Sequence, residues 1–406
     1  MKIVRIIARL NMGGPARHVV WLTAGLTAPE FETVLVTGVV PPGEEDMGYF
    51  AAQHGVEPVV IKQMSRELSP GDAVTLWKVY RLLCRDRPQV IHTHTAKAGT
   101  VGRVAGFLYR WFRPGTLIGR PRRVRLIHTY HGHVFHSYYG NLKTKLFLFI
   151  ERVLAFLATD RILVLSQQQR DEINGKFRVG RPEQFAIVPL GIDLEPFADR
   201  FNCRDRLRAE LQAADDEVLV GIVGRLTEIK HHALFLRAAA EFLEHVMDDG
   251  PLVRFVIIGD GHLRPELEAE AVRLNLGSRL VFLGARDDPQ NFYPALDVVA
   301  LTSRNEGTPL TLIEAMANAR PVIATAVGGV VDLLGPITEK GAGFDVCERG
   351  IAVQADDAEA FRCGLDRLIN DQTMRDRLGL AGLSYVREQY QLARLLSDVA
   401  NLYRSL

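Results

Sequence analysis

Apolar runs of strand length alternate with helix-length segments along the whole chain. That alternation constrains the fold more than any single motif. Strands separated by helical crossovers pair in parallel, and a parallel sheet must be covered on both faces. Strand signals fall at residues 2–8, 31–37, 90–94, 126–130, 160–166, 185–189, 217–223, 253–258, 280–283, 297–301 and 321–325. Helical segments around Ala358–Asn370, Met374–Leu380 and Ala393–Leu406 finish the chain. A chain of 406 residues is long enough for two such domains. Leu190-Gly191-Ile192-Asp193 marks the expected boundary, with residues 1–192 on one side and 193–389 on the other.

One strand–turn–helix passage carries the most chemistry. Asp297–Leu301 reads as a buried strand, and Ser303–Ala317 as the loop and helix after it. Thr308 is expected at the N-cap and Pro309 at the first helical position, where a missing N–H costs nothing. The N–H groups of Gly307, Thr308, Leu310 and Thr311 would then point at a ligand, and the helix dipole favours an anion there. Glu306 stands just before the cap and Glu314 about two turns into the helix. Ligands of open α/β sheets bind at such carboxyl ends of strands.

Other loops after strands repeat the theme. Gly224-Arg225-Leu226-Thr227-Glu228-Ile229-Lys230 places two cations five apart, which suits a diphosphate. Gly13-Gly14 ends the first strand with a turn that lets backbone approach a ligand. Gly259-Asp260-Gly261 resembles the start of a dinucleotide fingerprint, but Arg264 stands where the third glycine should be, so it is weak evidence for a nicotinamide cofactor. Alternation puts His92 and His94 on one strand face. His128, His131, His133 and His136 invite a zinc reading, but no carboxylate lies nearby to orient them; hydrogen bonding is the reading taken, with no metal.

Charge divides the chain. Residues 1–200 hold 27 Lys and Arg against 17 Asp and Glu; the remainder holds 22 against 31. No Asp or Glu lies between Arg87 and Ile150. Within that span, Phe107–Arg125 interleaves Phe107, Tyr109, Trp111 and Phe112 with six arginines, the pattern of an interfacial patch for anionic lipid. Leu146–Leu165 is too charged for a spanning helix, and the first residues are too short and charged for a signal peptide. Four scattered cysteines fit a reduced, cytoplasmic compartment, with peripheral contact at the inner membrane face and no nucleic-acid partner.

Taken together, Gly13-Gly14, Gly224-Arg225-Leu226 with Lys230, Gly259-Asp260-Gly261, Glu306 to Glu314 and Gly328-Gly329 resemble the retaining glycosyltransferases of family 4. His92-Thr93-His94-Thr95-Ala96-Lys97-Ala98-Gly99 and His128-Thr129-Tyr130-His131-Gly132 resemble members that build bacterial surface polysaccharides. The resemblance implies the GT-B architecture, two Rossmann-like α/β domains facing across a cleft. It implies an N-terminal acceptor domain completed by a helix at about 390–406, and a C-terminal nucleotide-sugar domain. Arg225 and Lys230 match the cations on the donor diphosphate, Glu314 the ribose-binding glutamate, and Glu306 the glutamate at the transferred sugar. Gly307, Thr308, Pro309 and Leu310 match the backbone at sugar and phosphates. His131 matches a histidine facing the sugar; Gly14 and Ser166 match cleft-lining positions. The sequence departs at His231 and Ala319, where glycines are usual, and at Leu190, usually asparagine.

The expected reaction is metal-independent transfer from a nucleotide-diphosphate sugar, with uridine the default base, to a glycan or polyprenyl-diphosphate-linked acceptor. The sugar nucleotide is a co-substrate, and no cofactor is expected. Two alternatives stay open: a sugar-nucleotide epimerase of the same architecture, and a non-catalytic sugar-nucleotide-binding protein.

Overall fold

The computed structural model describes all residues except 42–45, 65–70, 133–140, 199 and 247–249. His133 and His136 of the zinc reading therefore lie outside the described residues. The chain divides into two units, Met1–Ile192 with Leu392–Leu406, and Asp193–Gln391.

The first unit is a seven-stranded parallel sheet. Its strands are β1 (Lys2–Ile6), β2 (Glu32–Thr37), β3 (Val59–Val60), β4 (Val90–His94), β5 (Arg125–Thr129), β6 (Arg161–Val164) and β7 (Phe185–Ile187), in the order β3-β2-β1-β4-β5-β6-β7. The order reverses between β1 and β4, which opens a crevice at their carboxyl ends. Both faces of this sheet are covered: every residue of β4 is buried, His92, Thr93 and His94 included.

The helix Ala96–Trp111 lies against this sheet through a glycine ridge. A Cβ at Gly99 would stand 2.4 Å from His128, at Gly102 2.6 Å from Thr93, and at Gly106 2.5 Å from Leu126. The helix Asn141–Ala158 packs on it and is joined by a buried ion pair, Arg103 to both oxygens of Glu151 at 2.6 and 2.7 Å. Tyr130 also donates to that carboxylate. Glu151 is the first acid after the carboxylate-free span. The terminal helix Leu392–Arg404 buries Leu395, Val399 and Tyr403, at i, i+4 and i+8, in a cluster with Ile3, Val90 and Ile127.

The second unit is an eight-stranded sheet ordered β10-β9-β8-β11-β12-β15-β14-β13. Here β8 is Val218–Val223, β9 Val253–Ile258, β10 Leu280–Gly284, β11 Val298–Leu301, β12 Val322–Thr325, β13 Ile337–Lys340, β14 Phe344–Cys347 and β15 Gly350–Val353. The last three strands end the sheet with antiparallel pairs, β13 with β14 and β14 with β15. The sequence reading places no strand after residue 325. β13 is exposed along its whole length, so it carries no apolar pattern to read.

Part of the expected interfacial patch faces inward. Tyr109 is buried and Phe107 packs against the core, whereas Trp111, Phe112 and Ile118 are exposed. The structure adds an apolar face on the helix Asn141–Ala158, with Leu146, Phe149, Phe156 and Leu157 exposed. No helix among the described residues is long and apolar enough to cross a membrane.

Candidate active site

In the second unit, loops after β8, β9, β11 and β12 meet through glycines. Gly259, at φ +141°, occupies backbone space closed to other residues, and a Cβ there would lie 2.0 Å from the Gly224 carbonyl oxygen. A Cβ at Gly261 would meet the Leu226 carbonyl at 2.4 Å. Leu226 N–H donates to the Asp260 carbonyl at 3.0 Å. The Gly-Asp-Gly run thus seats one loop on another and has no need of a third glycine. Likewise a Cβ at Gly329 would stand 2.3 Å from the Gly307 carbonyl, which holds the turn before the helix Leu310–Ala317.

That turn differs by one residue from expectation. Pro309, with ψ 115°, is the N-cap, and the helix begins at Leu310. Thr308 makes no side-chain cap. As the residue before a proline, Thr308 is driven toward extended backbone, and the turn must also meet Gly329. Leu310 and Thr311 N–H groups lie in the first turn, where intrahelical acceptors are lacking.

Lys230 Nζ donates to Glu306 Oε1 at 2.6 Å, and Ser303 Oγ donates to the same oxygen at 2.6 Å. Thr302 Oγ1 fixes the Lys230 loop through the carbonyls of Lys230 and His231, both at 3.0 Å. The two side chains assigned to phosphate and sugar are therefore partners. Arg225 is exposed and makes no hydrogen bond or ion pair with the described residues. Glu314 is buried one side of its helix away, accepting from Tyr293 OH at 3.0 Å.

In the first unit, the predicted residues sit at carboxyl ends of strands. Gly14 opens the helix Gly14–Gly25 after β1. Ser166, after β6, is a helix N-cap whose Oγ accepts from Gln169 N–H at 3.2 Å. Gln169 in turn donates to the Gly132 carbonyl at 3.1 Å, so it braces the loop beside His131. His131 Nε2 lies 2.9 Å from His94 Nδ1. Burial lowers its pKa to about 3, so the ring is neutral.

Sequence reasoning missed Ser303, Tyr293, Gln169 and His18. His18 had a signal: it lies four residues after Gly14, on the same helix face. Its ring centroid is 4.9 Å from that of His131. The others are ordinary polar residues whose role depends on tertiary contact.

Two family models match the chain: "Glycosyltransferase Family 4" over residues 12–196, and "Glycosyl transferases group 1" over residues 204–384. The chain is 30% identical over 304 residues to an Escherichia coli UDP-Gal:alpha-D-GlcNAc-diphosphoundecaprenol alpha-1,3-galactosyltransferase, covering 75% of this chain and 72% of that one. It is 24% identical over 360 residues to the Staphylococcus aureus capsular polysaccharide biosynthesis glycosyltransferase CapM, covering 87% and 86%. Among solved structures, Anabaena Alr3699/HepE in complex with UDP-glucose superposes with TM-score 0.77 at 20% identity over the full length of both chains.

Proposed function

Because the chain belongs to the family 4 glycosyltransferases, of GT-B architecture, we propose that it moves a sugar from a UDP-linked donor to a glycan or polyprenyl-diphosphate-linked acceptor in surface polysaccharide assembly, with retention at the anomeric carbon. The observation that carries this reading is the Lys230–Glu306–Ser303 constellation beside the free Arg225. Relatives named for a UDP-sugar and for a diphosphoundecaprenol acceptor support the substrate classes.

The step needs stabilisation of charge growing on the departing diphosphate. Arg225 and Lys230 supply it, joined by N–H groups at Gly307–Leu310; protein cations do this work and no metal takes part. Before donor binds, Glu306 neutralises Lys230. With donor bound, Lys230 shifts toward phosphate and Glu306 is left to face the sugar, while Glu314 takes the ribose. The leaving phosphate helps deprotonate the acceptor on the same face, and neutral His131 orients the sugar. A thermal-shift screen of sugar nucleotides tests the donor: a ligand at 100-fold its Kd adds about 2.7 kcal/mol. Arg225→Ala should lose most transfer while remaining folded. Near-normal transfer, or conversion of donor without acceptor, would sink the assignment.

The acceptor reading extends to the membrane. A surface recess on the first unit brings Phe156 and Leu157 together with Arg110, Arg125, Arg161 and Arg181. Exposed Trp111 and Phe112 stand near Arg113 in sequence. Apolar side chains with arginines suit anionic headgroups. Replacing Arg120, Arg123 and Arg125 by Gln should release the protein from anionic liposomes but leave its unfolding temperature unchanged; equal retention on those vesicles would count against it.

A further inference from the structure

Five histidines gather in the first unit, on the helix after β1, on β4, and on or just after β5: His18, His92, His94, His128 and His131. They do not share a role. His92 uses both ring nitrogens, Nδ1 at 2.6 Å from Tyr403 OH and Nε2 at 2.7 Å from Thr129 Oγ1. His128 Nδ1 lies 2.9 Å from Thr93 Oγ1, under Gly99. These two are sheet residues.

The other three face one another. His18 is 3% exposed and neither of its nitrogens has a partner among the described residues. His94 is fully buried with Nε2 unpartnered, and its Nδ1 lies 2.9 Å from His131 Nε2. One nitrogen from each ring lies within 4.8 Å of the others, the one such group among the described residues. An unmet buried polar group costs about 1–3 kcal/mol, so the packing of these rings leaves a demand that the described residues do not answer.

We infer that His18, His94 and His131 form a three-imidazole site for a divalent first-row transition ion, with Zn2+ as the type. Zinc–nitrogen bonds of about 2.0–2.1 Å at tetrahedral angles set ligand nitrogens roughly 3.4 Å apart. Small ring rotations reach that spacing from the distances present. Three imidazoles leave a fourth position open. Hard ions such as Mg2+ prefer oxygen ligands, which this site lacks. Burial keeps all three rings neutral, the form that binds metal. Two features moderate affinity. Arg5 is buried nearby and its charge opposes a dication, and no carboxylate among the described residues orients any of the rings.

A consequence rests on the reading of His131 as the sugar-facing residue. An ion holding the His131 ring withdraws it from the sugar, so a filled site lowers transfer. The test uses untagged full-length protein freed of metal by chelation. Titration with Co2+ should develop the visible bands of tetrahedral cobalt with one ion per chain, displaced by Zn2+. His18→Gln and His94→Gln should each weaken Co2+ binding at least tenfold, and His262→Gln, on the exposed surface of the second unit, should not. No stoichiometric cobalt spectrum, or wild-type affinity retained in both variants, overturns the site. Zinc-edge anomalous scattering from Zn2+-soaked wild-type crystals gives a readout independent of variant folding: a peak among the three rings supports the site, and none refutes it. Zn2+ bound there without loss of transfer would keep the site and instead remove His131 from the sugar.

Discussion

At the residue scale, the Lys230–Glu306 pair makes the two charges separable by experiment. Glu306 neutralises Lys230 at 2.6 Å, so removing the carboxylate frees the cation for phosphate. Glu306→Gln should bind UDP as tightly as wild type or up to about fivefold tighter, the equivalent of roughly 1 kcal/mol. Its transfer rate should fall about a hundredfold, because the sugar loses its contact. Lys230→Ala should do the reverse in calorimetry, weakening UDP itself. Loss of UDP affinity in Glu306→Gln would reject this division. The departures from the family pattern are also explained by backbone. His231 and Ala319 have φ +50° and +54°, left-handed positions that favour glycine. His231 recovers contacts with Arg304 and Asp356, at 3.1 Å each, but Ala319, just past a helix end, has no hydrogen bond from its methyl side chain to offset the strain. Ala319→Gly should therefore stabilise by about 1 kcal/mol, measured by urea unfolding; no change or a loss would show that the position is unstrained. Single residues also mark the limit of sequence reading. Arg225, Lys230 and Glu306 stand out as charges in loops at strand ends, and Glu314 as a charge inside an apolar helix. Ser303 and Gln169 do not, since hydroxyls and amides occur everywhere and only the fold selects them.

At the element scale, strands in the middle of each sheet were legible because burial on both faces favours apolar residues, although β4 and β5 also bury His92, His94 and His128. β3, with two residues, and β13, exposed throughout, carry no such trace. The helix Ala96–Trp111 was hidden for another reason: its sheet-facing ridge is glycine, not leucine, so no apolar stripe announces it. Its anchor is likewise polar. Arg103 and Glu151 are both fully buried, and the ring hydroxyl of Tyr130 completes the carboxylate. Breaking such a pair strands the remaining charge in a medium that cannot solvate it. Glu151→Gln should destabilise the protein by about 3–5 kcal/mol, whereas the double variant Arg103→Met with Glu151→Leu should recover most of that loss. Denaturant midpoints decide the matter: a single variant within 1 kcal/mol of wild type, by roughly the cost expected of a surface pair, would mean that water reaches Arg103.

At the scale of the whole molecule, the two units differ in how they meet acid. Among the described residues of the first unit, the buried His18, His92, His94 and His128 and the half-buried His131 have pKa values lowered by desolvation, His131 to about 3. In the second unit burial lowers His232 to about 3 and also lowers His231. A group whose folded pKa lies below its unfolded value of about 6.5 binds protons more readily when unfolded. Its contribution is fully present above pH 6.5, and it is lost as pH falls from there toward the folded value. Each such histidine can remove up to about 1.4 kcal/mol per pH unit, and mutual repulsion among the clustered rings makes their protonation in the folded state harder still. With five such groups against two among the described residues, the first unit is the more acid-sensitive of the two. Hydrogen exchange followed between pH 7 and 5 should show β1, β4 and β5 losing protection while β8 and β11 keep theirs. Replacing His18 by Leu, which takes one titrating group out of the cluster, should move the first unit's transition to lower pH. Simultaneous loss of both sheets, or earlier loss of the second, would mean that the histidine cluster does not set the molecule's acid limit.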